Sequence, residues 1–169
     1  LASLRADYFD SRAEKSDPDD DFDQFALSPK FGLVYQPILD RVSIFANYQN
    51  AFNNVGPMQV ADPDGENPRL KSFEPEQANQ WEVGVKLNVL RDRLLASASY
   101  YDIKVSNKVI GDVNNFYNSI QGGEVGSKGF ELDVTANPLP GLSLIAGFSH
   151  NETKNLKGNE GDFYGEPGR

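Results

Sequence analysis

Side chains that can hold protons, metals or electrophiles are scarce in this chain. It has one histidine, His150, and no cysteine. A Ser/His/Asp triad or a histidine metal site would have to be built on His150, and the sequence offers it no evident partner. His150 shares strand parity with Phe148, which assigns it to an interface or structural place. Asp17, Asp19, Asp21 and Asp23 alternate as in a calcium loop. Such a loop needs glycine at its sixth position and glutamate at its twelfth, and those positions hold Phe22 and Ser28. The run reads as a solvated acidic loop. Pro63-Asp64-Gly65 reads as a turn. No catalytic or metal constellation emerges. What remains could bind rather than react: aromatics and amides in loops, namely Phe52, Asn53, Asn54, Asn114, Phe116, Tyr117, Phe163 and Tyr164. Aromatic faces with a few polar groups suit a mostly organic ligand.

The elements that must position them follow from a period of two. Trp81, Val83, Val85, Leu87 and Val89 alternate with Gln80, Glu82, Gly84, Lys86 and Asn88, one apolar face against one polar face. After a polar turn at Arg91-Asp92-Arg93 the chain returns through 94–105. Each arm runs about ten residues or more, which is long for a globular strand and right for one that crosses a bilayer. Similar alternation marks 1–9, 28–36, 42–52, 124–136 and 142–152, so about seven strands are expected. Short connections at 37–41, 90–93 and 137–141 alternate with long ones at 10–27, 53–76, 107–123 and 154–169. Outer-membrane barrels put short turns at the periplasmic end and long loops outside. The two prolines of 137–141 mark a turn because they cannot continue a ladder.

Composition agrees. Mean hydropathy is −0.53 over 169 residues, and no 18-residue apolar run is present, which excludes a transmembrane helix but not a barrel. The net charge is −9, and nearly all of it falls in the long connections. No basic stripe suggests nucleic-acid binding. Tyr8, Tyr35, Tyr48, Trp81 and Phe148 lie on apolar faces, as the aromatic girdles of a barrel would. The sequence opens on Leu1 within a strand pattern and stops at Arg169 within a Gly-rich loop, so it reads as part of a longer protein. Seven strands cannot close in lipid, and the missing strands are expected outside this sequence. The fold class is all-β: an antiparallel transmembrane β-barrel segment.

Five stretches, in order, resemble a known family. SPKFGLVYQP followed by VSIFANYQNAF resembles the pair SP-x-x-GLVY-x-P … SLYANYS-x-x-F of TonB-dependent outer-membrane receptors. FEPEQANQWEVGVK resembles L-x-PE-x-x-x-x-YEVG-x-K, through Pro75, Glu76, Glu82, Val83, Gly84 and Lys86, with Trp81 for the usual Tyr. RLLASASYYDIKVSN is similar to the strand with FDI, with Tyr101 for the Phe. GEVGSKGFELDV resembles GEVRSRGFELD, with Gly126 for the Arg. PLPGLSLIAGFSHNET is similar to PGLSL-x-AGYSYT-x-T. The matches cover roughly 25–153 and most resemble the ferric-siderophore receptors.

The resemblance implies a 22-stranded barrel closed by a plug, and active import of a ferric siderophore driven through TonB, ExbB and ExbD. It implies a bacterial outer-membrane location and lipid contact. The plug and its TonB-contacting segment are not in this sequence, which is one partial barrel domain over 1–169. A siderophore encloses its iron, so no direct metal ligand or cofactor is expected of the protein, only contacts from the loop residues named above. Inward-facing Lys86, Glu131 and Asp133 are expected to pair with the plug or with one another. Import of cobalamin, haem or an oligosaccharide by the same family is the first alternative. A passive porin or structural barrel and a soluble carbohydrate-binding sandwich are the others.

Overall fold

A computed structural model describes residues 1–11, 22–90 and 93–158. They form nine β-strands and, among the described residues, no helix: β1 (Ala2–Ser11), β2 (Phe22–Ile38), β3 (Val42–Asn53), β4 (Met58–Val60), β5 (Arg69–Lys71), β6 (Glu76–Val89), β7 (Leu94–Asp112), β8 (Asn115–Leu139) and β9 (Leu142–Lys157). Seven make one antiparallel sheet in the order β1-β2-β3-β6-β7-β8-β9, open at both edges; β4 and β5 pair separately. The alternating segments of the sequence are thus the wall, each strand hydrogen-bonded to the next.

Four expectations are corrected. The expected loop 107–123 is a continuation of β7 and β8, which turn only at Val113-Asn114. Glycines and asparagines there are absorbed by register shifts between Val105 and Lys108 and between Gly111 and Asp112, where a strand can bend without ending. The expected loop 53–76 contains the β4–β5 hairpin, and β2 begins at Phe22 rather than Ser28. The expected turn 137–141 narrows to Pro140-Gly141, because Pro138 sits within a register shift between Ala136 and Leu139 and no ladder bond is asked of it. Arg91 and Asp92 of the next short turn, and Asp17, Asp19 and Asp21, lie outside the described residues.

Among the described residues, Asp40 (φ 58°), Leu90 (φ 55°) and Gly141 (φ 83°) take a left-handed backbone at the short connections. Pro140-Gly141 has the residues a type II turn requires.

Register fixes the faces. Phe31, Tyr48 and Trp81 lie side by side on β2, β3 and β6, with Tyr48 and Trp81 rings 4.6 Å apart. Below them run Leu33, Ala46, Val83, Tyr100 and Phe130, then Tyr35, Ile44, Val85, Ala98, Leu132 and Phe148. Most of these side chains are exposed, Leu33 at 71% and Trp81 at 61%, and Tyr48 and Val85 are half-buried. Toward the loop end, each wall strand carries an aromatic on this face: Tyr8, Phe25, Tyr48, Trp81, Tyr100, Phe130 and Phe148. His150 stacks on the Phe130 ring, 5.7 Å between centroids, on the outward face as its parity predicted. Past this rim the outward positions turn polar. An apolar belt with an aromatic rim is what a lipid-facing wall requires.

The opposite face is polar and hollow. Glu82, Lys86, Ser97, Ser99, Glu131 and Asp133 converge there from β6, β7 and β8.

Candidate functional site

The inward face is kept smooth by glycines opposite large side chains. Phe45 lies across Gly84, and a Cβ there would meet the Phe45 ring at 2.5 Å and the Ala98 carbonyl oxygen at 2.6 Å. Tyr101 lies across Gly129 in the same way, with its hydroxyl 2.7 Å from where a Cβ would sit. Both aromatics therefore lie flat along the wall instead of projecting across the hollow. The Tyr101 hydroxyl accepts from Asn151 Nδ2 at 2.6 Å, and Asn151 also donates to Ser127 at 2.9 Å. Lys86 sits over the Phe45 ring at 5.4 Å. Ser97 reaches Asp133 at 3.5 Å. The expected ion pairing among Lys86, Glu131 and Asp133 does not occur in the described structure.

Above the rim, the segment between β3 and β6 folds against the polar face. Gln24 of β2 donates its amide to the carbonyls of Val55 (2.8 Å) and Phe73 (2.5 Å). Gln121 of β8 donates to the Glu74 carbonyl (2.6 Å) and accepts from the Glu74 amide (3.0 Å), so its side chain stands in for a strand partner. Lys71 donates to the Ser119 carbonyl at 2.7 Å. Ala61 pairs with the Tyr117 carbonyl at 2.9 Å, and Asn115 returns a bond to the Ala61 carbonyl at 2.8 Å. Val55, Val60, Ala61 and Phe73 are buried beneath, beside Ala26 of β2. The β4–β5 hairpin and the β7–β8 arm are therefore one packed unit at the mouth.

Two carboxylates help hold it. Hydrogen bonds from Asn67 and then Arg69 keep Asp62 below the usual carboxylate value of 3.8. Asp112 is likewise lowered, first by the Asn114 backbone amide and then by Asn118.

The predicted binding residues divide into two groups. Asn114, Phe116 and Tyr117 are together at the tip of the β7–β8 arm. Phe116 is 93% exposed, and Tyr117 packs its ring on Gly65 of the neighbouring hairpin. Residues 101–112 of β7, at about 3.3 Å each, run roughly 40 Å along the strand from the rim to that tip. Phe52, Asn53 and Asn54 are at the end of β3. Phe52 is half-buried against the Phe9 ring (5.6 Å) and the Arg5 guanidinium (5.6 Å), and Asn53 is bonded to Glu76 at 3.2 Å. Phe163 and Tyr164 lie outside the described residues. Sequence reasoning missed Gln24, Lys71, Glu74, Asn115 and Gln121, which join the loops. It also missed Phe45 and Tyr101 as lining groups, although a glycine inside a strand, as at Gly84 and Gly129, signals a close approach. No cluster of metal-ligating side chains occurs among the described residues.

The comparisons with known proteins agree with this architecture. The chain is 30% identical over 127 residues to the metal-pseudopaline receptor of Pseudomonas aeruginosa, covering 75% of the chain and 17% of the receptor. It is 29% identical over 132 residues to the ferripyoverdine receptor of the same species, covering 72% of the chain and 15% of that protein. The chain thus spans less than a fifth of these relatives. Its fold matches the siderophore receptor PiuA of Acinetobacter baumannii with a TM-score of 0.70 at 18% identity, over 98% of this chain and 24% of that one. It matches the alcaligin receptor FauA of Bordetella pertussis with a TM-score of 0.63 at 22% identity, over 89% and 25%. The family model described as TonB dependent receptor-like, beta-barrel matches residues 1–167, so this wall of strands belongs to the TonB-dependent receptors of the bacterial outer membrane.

Proposed function

We propose that the chain is part of the barrel wall of a receptor that imports a ferric siderophore across the outer membrane, with energy delivered through TonB, ExbB and ExbD. The observation that carries this reading is the division of the wall. A lipid-facing apolar belt backs onto a polar hollow, and a packed loop unit stands over that hollow with aromatic and amide groups at its tip. Such a wall offers a large polar-organic chelate contacts at the mouth and a hydrated route behind it. Phe116, Tyr117, Asn114, Asn53, Asn54, Phe52, Phe163 and Tyr164 are the residues we assign to chelate contact, with Phe116 foremost because it is the most exposed. The plug, the strands that close the barrel and the TonB contact would come from parts of the protein outside this chain. The reaction is gated transport, not catalysis.

The test is uptake of radiolabelled iron by an iron-starved strain with and without the full-length gene, across a panel of ferric chelates. One chelate should enter only when the gene and TonB are both intact. Unchanged uptake of every ferric chelate would remove the substrate assignment. One relative is named as a receptor for metal-pseudopaline, which favours a second reading in which the chelated metal is not iron. The same panel loaded with zinc, nickel or cobalt separates the two.

A further inference from the structure

The chain enters β6 through Phe73-Glu74-Pro75-Glu76, a stretch that neither the belt nor the hollow uses. Four wall strands bond to it. Gln24 of β2 reaches the Phe73 carbonyl. Gln121 of β8 holds both backbone groups of Glu74 and also donates to the Asn107 carbonyl of β7 at 2.9 Å. Asn53 of β3 stands directly across from Glu76 and donates to its carboxylate at 3.2 Å. The other oxygen of that carboxylate accepts from the Val109 backbone amide of β7 at 3.3 Å.

The bond to Val109 falls where the ladder stops. β6 and β7 pair only as far as Gln77 and Ser106. Asn107 then takes a left-handed backbone (φ 58°), and Gly122 on the facing strand takes another (φ 134°). The β7–β8 register shifts at this level. Such irregularities bend a strand, so the direction of the arm beyond them depends on what holds its base. The half-buried Glu76 side chain takes the place of the next ladder partner. A carboxylate suits this corner because it offers two acceptor oxygens and needs no donor in return.

Glu76 thus joins the two separate groups of residues assigned to chelate contact. Through Asn53 it holds the group at the end of β3. Through Val109 it holds the base of the arm that carries Asn114, Phe116 and Tyr117. We propose that Glu76 is a positioning residue for chelate binding, fixing the two groups at the separation that lets one ligand touch both. The proposal rests on the chelate reading of the mouth. Glu76 acts through Asn53 and the arm and does not itself touch the ligand.

The experiment uses the full-length protein in detergent and has two readouts. The first needs no ligand. Nitroxide labels at Asn54→Cys and Val113→Cys, in a background without other cysteines, give the distance between the groups by pulsed dipolar electron spin resonance. Glu76→Ala should widen the distance distribution, and Gln121→Ala, which frees Glu74 and Asn107, should widen it too. The second readout is affinity for ferrioxamine B and ferric enterobactin, as hydroxamate and catecholate probes. Glu76→Ala should weaken whichever probe the wild type binds by about tenfold, the scale of one hydrogen bond to a charged group. Glu76→Gln keeps one acceptor oxygen, should lose less, and serves if Glu76→Ala does not assemble. Asn53→Ala should weaken the wild type but add nothing in Glu76→Ala, because one acts through the other. Glu66→Ala removes the same charge from the β4–β5 hairpin and should change neither readout. Unchanged distances in both alanine variants, independent losses for Asn53→Ala and Glu76→Ala, or equal loss in Glu66→Ala would overturn the proposal. A wild type that takes up no ferric chelate sinks the chelate reading, and the label distances then decide whether Glu76 holds the two groups. One that binds a probe equally well with and without Glu76→Ala sinks only this inference.

Discussion

The wall and the mouth are built on opposite principles. In the wall between Phe31 and Phe148 most large apolar side chains are outside, and inside are glycines, serines and charged groups, with Phe45 and Tyr101 laid flat across glycines. In the mouth the order reverses. Val55, Val60, Ala61 and Phe73 are buried, with Val60 at 2% exposure, while Phe116 and the amide of Asn114 stay exposed at the tip. The mouth stands in water and must make its own apolar interior, each buried side chain contributing roughly 1.5–3 kcal/mol. The wall has no interior of its own. Its strands satisfy their backbone groups from neighbour to neighbour, and lipid covers the rest. One chain thus carries two solvents in its pattern, and the aromatic rim is where it changes from one to the other.

The sharpest way to break this contrast is to exchange the faces of the wall by one charge. Val85 is mid-belt and outward, between Ile44 and Ala98. Val85→Arg should cost the assembled barrel about 2–4 kcal/mol, the depth-dependent penalty of an arginine at the midplane. Ser99 is inward, opposite Gly84 and Glu131. Ser99→Arg should cost less than about 1 kcal/mol, since its charge stays hydrated near a carboxylate. Refolding of the full-length protein into bilayers across a denaturant series measures both. Equal penalties would mean that the faces are wrongly assigned.

A smaller effect separates the regions by their glycines. At Gly129 an added Cβ would collide with the His150 carbonyl oxygen and the Tyr101 ring, whereas at Gly56 in the mouth nothing lies within 4 Å. Gly129→Ala should therefore destabilise the wall by about 1–3 kcal/mol, as overpacking does. Gly56→Ala should stay within about 0.5 kcal/mol. Combining Gly129→Ala with Tyr101→Ala should recover part of the loss. Absence of recovery, in the same refolding assay, would place the strain on the backbone contact alone.

These differences mark what was legible in the sequence. The period of two gave the wall, its faces and the rim, because a strand between lipid and water has no other way to satisfy both. It even placed His150, since parity is all that decides its side. The mouth was not legible. Residues 107–123 look like a loop by their Asn and Gly content, yet they continue the ladder because register shifts take up the irregular residues. The joints made by Gln24, Lys71 and Gln121 depend on side chains reaching backbone carbonyls far along the chain, for which no spacing rule exists. Phe52 reads as a free aromatic, but Phe9 and Arg5, more than forty positions earlier, partly cover it.

The mouth should fail by itself. Val60→Ala removes apolar volume from its small core and should cost roughly 1.5–2.5 kcal/mol. That loss should stay within the unit of the β4–β5 hairpin and the β7–β8 arm, because Val60 pairs with Arg69 and its neighbour Ala61 bonds Tyr117 and Asn115, not the belt below the rim. Limited proteolysis should cut between 54 and 75 faster, while the refolding midpoint of the barrel holds. A coupled fall in both would mean that mouth and wall form one cooperative unit.

The smallest expected effect is on pH. Asp62 is held below 3.8 by Asn67 (2.7 Å) and Arg69 (3.0 Å). A lowered folded-state value means that its stabilising contribution is complete above 3.8 and fades as the pH falls through the lower, folded value. The hairpin should therefore be equally protected at pH 7 and pH 5 and loosen below about 3.8, with amide exchange at Asn67 and Arg69 rising first. Asp62→Asn should abolish that step and leave the exchange at pH 7 modestly raised, since an exposed carboxylate in water contributes little. Loosening that starts between pH 7 and pH 5 would point to a group other than Asp62. His150, the chain's only histidine, sits on the wall's outward face away from this hairpin, so the step should survive in His150→Gln.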